Sequence, residues 1–123
     1  MKAELKLITD LFGEFSPAEY IPVNDDVFHI TLLLGIGGVD SEAMDYFDVS
    51  ICTLEWVRLN NVKPVILNNT ILVDNYDFNE ILKYINECIN LCDGKNWHEV
   101  ANNLSKFFLW EYDRYKTLSA VKE

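Results

Sequence analysis

Cys88 and Cys92 stand four residues apart, with His98 six residues further on. Thiolates and imidazole are soft metal ligands, and one helical turn brings side chains at i and i+4 to the same side. The C-x-x-x-C spacing nevertheless departs from the knuckles that close structural zinc sites, and both cysteines fall on the apolar face of their helix, where a free thiol packs as a small hydrophobe. We read them as core, with no metal and no cofactor. His29 lies in an apolar run without an adjacent base or nucleophile, so it too reads as structural. Gly35-Ile36-Gly37-Gly38 follows a strand but opens an acidic loop. A dinucleotide fingerprint needs a helix N-terminus at that point to receive the phosphates, and a hairpin bend is the sensible reading. Asp40, Glu42 and Asp45 are hard-cation donors, yet the loop lacks the glycine and the terminal bidentate Glu of a calcium loop. Trp110-Glu111-Tyr112 is the densest aromatic-plus-acid cluster, and strand alternation sends Trp110 to the core and Glu111 to the opposite face. None of this forms a catalytic constellation, and no enzymatic activity is expected. Carboxylates paired only in space are not visible in a sequence.

The elements that position these residues are clearest between Tyr76 and Tyr115. Asp77 is a helix N-cap with Glu80 at the capping-box position. Phe78, Ile81, Leu82, Ile85, Cys88, Ile89 and Cys92 follow at a helical period, opposite Glu80, Lys83, Glu87 and Asn90. Asp93-Gly94 stops this helix. Asn96 caps a second, with Glu99 at the capping-box position and Trp97, Val100, Ala101, Leu104 and Phe107 or Phe108 as its apolar face. Two capped amphipathic helices in succession need an apolar surface to cover, and the rest of the chain supplies strands. Residues 2–8 alternate, with Ala3, Leu5 and Leu7 on one side. Asp10 to Asn24, with Gly13, Pro17 and Pro22, reads as loop, with a helical turn capped by Ser16. Val27 to Ile36 and Tyr46 to Thr53 form a long-looped hairpin broken at Gly37-Gly38. Thr53 caps a short helix whose Trp56 and Leu59 face inward. Ile71 to Val73 is a further strand after a turn at Asn68-Asn69, and Phe108 to Tyr112 is the last. The expected fold class is α+β: an antiparallel β-sheet with two consecutive C-terminal helices packed on one face. The 123 residues make a single domain, with 116–123 as a polar tail.

Composition narrows the function classes. Half of the residues are hydrophobic, enough for one core, and no run of about 18 apolar residues suits a membrane span. We see no signal peptide. Three cysteines is an odd number, and they read as reduced and cytoplasmic. The formal net charge is −10. Between Leu7 and Val57 there are ten acidic residues and no Lys or Arg, so nearly all of that charge sits in the N-terminal half. Such a balance repels polyanions and argues against nucleic-acid or anionic-membrane binding, which need a basic footprint. It suits a basic protein partner, and it equally suits a surface made acidic for solubility alone.

One further feature is the order in which several segments occur. An N-terminal MKAELK strand is followed by FDVSICTLEW around Trp56, by ILVDNYDFNEILKYINECI, by DGKNWHEVANNLSKF with Trp97, and by a closing WEYDRY at Trp110 to Tyr115. In this order and spacing the chain resembles the immunity protein eight family of bacterial polymorphic toxin systems, over nearly its whole length and most strongly from Val73 to Tyr115. The resemblance implies a cytoplasmic, non-enzymatic antitoxin that binds and neutralises a cognate toxin domain made by the same cell or its kin. It carries over Trp56, Trp97, Trp110 and Glu111 as framework residues. Toxin domains that attack nucleic acids often carry basic clefts, which an acidic face fits. On that ground the expected contacts are Asp25, Asp26, Asp40, Glu42, Asp45 and Asp48, with Tyr20 and Tyr46 as aromatic anchors. The alternative is a non-inhibitory interaction module or adaptor, which would form a stable complex with an enzyme that stays active. A small carboxylate- or Cys-dependent enzyme is a third class that no motif supports.

Overall fold

A computed structural model describes residues 1–61 and 63–113. The polar tail expected at 116–123 and the last two residues of the WEYDRY segment lie outside the described residues. The chain runs β1 (Ala3–Asp10), β2 (His29–Gly38), β3 (Asp45–Thr53), α1 (Leu54–Asn60), β4 (Thr70–Val73), α2 (Phe78–Asn90), α3 (Trp97–Leu104) and β5 (Leu109–Trp110). The strands form one sheet in the order β1-β2-β3-β4, with β5 also paired to β3. This is the expected α+β class, with one difference. β1–β2, β2–β3 and β3–β5 are antiparallel, but β4 runs parallel to β3. A parallel neighbour needs a crossover, and α1 with the connection 61–69 provides it.

One face of the sheet carries the core. Ile30, Leu32, Leu34 and Ile36 of β2 lie beside Phe47, Val49 and Ile51 of β3, and all are buried. Ile81, Ile85 and Ile89 of α2 and Val100, Ala101 and Leu104 of α3 pack on them in one cluster. Both helices begin where the caps place them: the Asp77 carboxylate accepts from Glu80 N–H at 3.3 Å, and the Asn96 side-chain oxygen accepts from Glu99 N–H at 3.0 Å.

Local sequence misplaces several residues. The pairing of β1 with β2 slips between Leu5 and Leu7. A bulge there moves the alternation by one residue, so Ala3, Leu5 and Ile8 join the core and Leu7, expected with Ala3 and Leu5, turns to the exposed side. Gly37-Gly38 does not break β2 but continues it opposite Ala3 and Glu4. A Cβ on Gly37 would lie 2.0 Å from the Ala43 carbonyl oxygen, so this glycine permits the close approach of the hairpin's return. In α1, Val57 is buried and Leu59 is 64 % exposed, contrary to the expected inward Leu59. Thr53, buried, fixes the phase: its hydroxyl accepts from Trp56 N–H, and Val57, four residues on, falls on the same side. The final strand is only Leu109–Trp110, because residues 111–113 turn helical, so Glu111 does not occupy a strand position opposite Trp110.

Candidate functional site

The least expected polar contact ties two late elements, α3 and β5, to the start of β3. Asp45, the first residue of β3, accepts the indole N–H of Trp97 at 2.8 Å and that of Trp110 at 3.1 Å, both on Oδ2. The two tryptophans come from the first turn of α3 and from β5. Trp110 is buried, lies parallel to Phe47 with centroids 6.3 Å apart, and meets His98 and Tyr112 edge-on. Ionised carboxylates form hydrogen bonds about twice as strong as neutral acceptors. Asp45 therefore fixes where α3 and β5 sit against the sheet.

The other acidic candidates are distributed along the sheet. Asp25 and Asp26 are exposed in the loop between β1 and β2. Asp40 and Glu42 are exposed in the β2–β3 hairpin, at the opposite end of β2. Ten residues of strand separate the two pairs by roughly 30 Å. Asp48 lies on the face away from the helices and is 8 % exposed. Tyr46 shares that face, opposite Gly35, and is 38 % exposed. Tyr20 is half-buried: it stacks on Phe15 at 4.3 Å and meets Tyr76 edge-on at 5.1 Å, while Tyr76 meets Phe28 and donates its hydroxyl to the Pro17 carbonyl at 2.6 Å. This aromatic chain fastens the acidic loop to the start of α2. Burial, and secondarily the neighbouring Tyr20, pushes the Tyr76 phenol up to about 12. Asp10, at the loop's start, is buried and turns inward to accept from the backbone of Phe12 and Glu14 at 3.2 and 3.0 Å.

His29 stacks on Trp56 with centroids 4.5 Å apart, and desolvation lowers its pKa below 6.5. Cys52, Cys88 and Cys92 are free and buried, and burial raises all three thiols. A raised thiol is a poor nucleophile at neutral pH. Among the described residues no three His, Cys, Asp or Glu side chains gather to hold a metal ion, and no helix is long and apolar enough to cross a membrane.

Residues 4–115, nearly the whole chain, match the family described as immunity protein 8. The chain belongs to the immunity protein 8 family. No curated protein and no solved structure matches it.

For this immunity protein 8 chain, two of the framework residues carried by the resemblance, Trp97 and Trp110, meet on one carboxylate. Trp56 stands apart from them on α1, and Glu111 is half-buried just beyond β5. Sequence reasoning missed a second acidic surface. Asp74, Asp77 and Glu80 line a groove of about 650 Å³ between β4 and α2, with Lys106 the one Lys or Arg among its described lining residues. The signal was available: three acids within seven residues follow directly on the apolar strand Ile71 to Val73.

Proposed function

We propose that this chain is a cytoplasmic antitoxin without catalytic activity, which neutralises a cognate toxin domain by binding it through an acidic surface. Membership of the immunity protein 8 family carries the reading. The Lys/Arg-free span from Leu7 to Val57 supports an electrostatic mode of association, most directly at the exposed Asp25 and Asp26; the exposed Asp40 and Glu42 flank Ser41, whose carbonyl accepts from the Lys6 ammonium. A basic partner meets such a surface with a fast on-rate and a steep salt dependence. Tyr46 and Tyr20 remain the proposed aromatic anchors. Asp48 and Asp45 remain proposed contacts at positions where each also has intramolecular interactions.

The test is growth rescue. The toxin domain encoded beside this chain is expressed in a naive bacterium, with and without the chain. Rescue, together with a complex that weakens as salt rises, is the expected outcome. Failure of the soluble, folded chain to rescue growth from an active toxin would overturn the antitoxin reading. Asp40→Lys with Glu42→Lys should slow association without altering the melting temperature. An unchanged on-rate would remove the hairpin from the interface.

A further inference from the structure

We infer that the toxin docks by strand addition: an extended, basic segment of it pairs with the outer edge of β4 and lays its side chains into the groove between β4 and α2. The inference rests on the antitoxin reading and assigns it a site. Three observations carry it. First, β4 ends the sheet order, and no strand among the described residues lies on its outer side. Ser50 N–H donates to the Asn69 carbonyl, and Thr70 faces Ser50 in register. In a parallel ladder only alternate residues bond a given neighbour, so Asn69, Ile71 and Val73 face β3, while the N–H and C=O groups of Thr70 and Leu72 point outward. An open edge of this kind is a template for another chain.

Second, the approach to that edge is apolar and uncovered. Val65, Ile66 and Leu67 are 46, 84 and 38 % exposed, and Leu72 is 50 % exposed. Consecutive exposed hydrophobic residues beside an open edge invite aggregation unless a partner occupies them.

Third, charge selects the partner. Asp74, Asp77 and Glu80 rim the groove, with Lys106 the one Lys or Arg among its described lining residues. The acidic loop between β1 and β2 is fastened to the same end through Tyr76, whose hydroxyl reaches Pro17 and whose ring meets Tyr20. The exposed Glu14, Glu19, Asp25 and Asp26 of that loop extend the negative surface. A basic extended segment satisfies both the outward N–H and C=O groups of Thr70 and Leu72 and the carboxylates.

The experiment uses the full chain and the toxin domain encoded beside it. Leu72→Pro removes an outward N–H without touching the ladder to β3, and edge strands tolerate proline. We expect it to weaken the complex about tenfold, mostly through faster dissociation, as one lost interfacial hydrogen bond implies. Asp74→Lys combined with Glu80→Gln should slow association about tenfold at low salt. Amide exchange on the wild-type complex gives a readout independent of whether Leu72→Pro folds: Thr70 and Leu72 should be exposed in the free chain and protected by the toxin. If the toxin binds but these amides stay unprotected and both variants bind as the wild type does, the β4 site is overturned and the antitoxin reading stands. If the toxin does not bind the wild-type chain, both fall. Protection of Thr70 and Leu72 already present in the free chain, whether as a monomer or a dimer, also overturns the site, since the edge is then covered from within this protein.

Discussion

Replacing Asp45 tests whether one carboxylate holds the C-terminal elements in place. Its Oδ2 receives two indole N–H groups, at 2.8 and 3.1 Å. Hydrogen bonds to a charged group contribute about 1.5–3 kcal/mol each where the donor would otherwise be left without a partner. Trp110 is 7 % exposed, so its N–H loses most of its access to water and the full loss applies. Trp97 is only half-buried, and water recovers much of its bond. Asp45→Ala should therefore lower the unfolding free energy by about 2–4 kcal/mol, which for a domain of this size lowers Tm by roughly 10–20 °C. Asp45→Asn keeps an acceptor without the charge and should lose about half as much. Urea unfolding followed by far-UV circular dichroism gives the values, read as a shift in midpoint at constant slope. Combining Asp45→Ala with Trp110→Phe should cost less than the sum of the two single changes, because each removes the same bond. An Asp45→Ala protein within about 0.5 kcal/mol of the wild type, the range of ordinary surface substitutions, would refute the reasoning. The result also bears on mapping the interface: a binding defect in an Asp45 variant reports on the fold before it reports on the toxin.

Three more predictions follow from particular contacts. Tyr76 is pushed to about 12 in the folded chain, whereas an unfolded tyrosine titrates near 10. Its contribution to stability is thus complete below pH 10 and is lost as pH rises from 10 toward 12. Denaturation at pH 9 and 11 should show a larger fall in the wild type than in Tyr76→Phe, and equal falls would contradict it. The β1 bulge predicts that Leu7→Ser changes stability by no more than about 0.5 kcal/mol, while Ile8→Ala costs about 2 kcal/mol or more. A larger cost at Leu7 than at Ile8 would mean that the alternation does not shift. Gly37→Ala should destabilise by about 1–3 kcal/mol through the clash with the Ala43 carbonyl, and a melt that matches the wild type would show that the hairpin yields.

Residue pattern alone carried what depends on local chemistry. The N-caps at Thr53, Asp77 and Asn96 are readable because a cap and its helix are neighbours in sequence, and the apolar faces of α2 and α3 because a 3.6-residue period needs no tertiary partner to be seen. The α+β class followed from capped helices beside alternating strands. The family followed from the order of segments, which the match over residues 4–115 bears out. What tertiary structure decided is whatever depends on pairing. A slip between Leu5 and Leu7 exchanges which side chains of β1 are inside from that point on, and nothing local announces it, since Leu7 is as hydrophobic as Leu5 and Ile8. The direction of β4 depends on how the chain returns from α1. The acidic span reads as one block along the sequence, yet Asp25–Asp26 and Asp40–Glu42 lie at opposite ends of a ten-residue strand, because a hairpin carries its two flanking loops to opposite ends of the sheet. Asp45 reads as one more acid in that block. Only folding brings Trp97, 52 residues away, and Trp110, 65 residues away, onto its carboxylate, where a charged acceptor satisfies two indole donors at the boundary of the core.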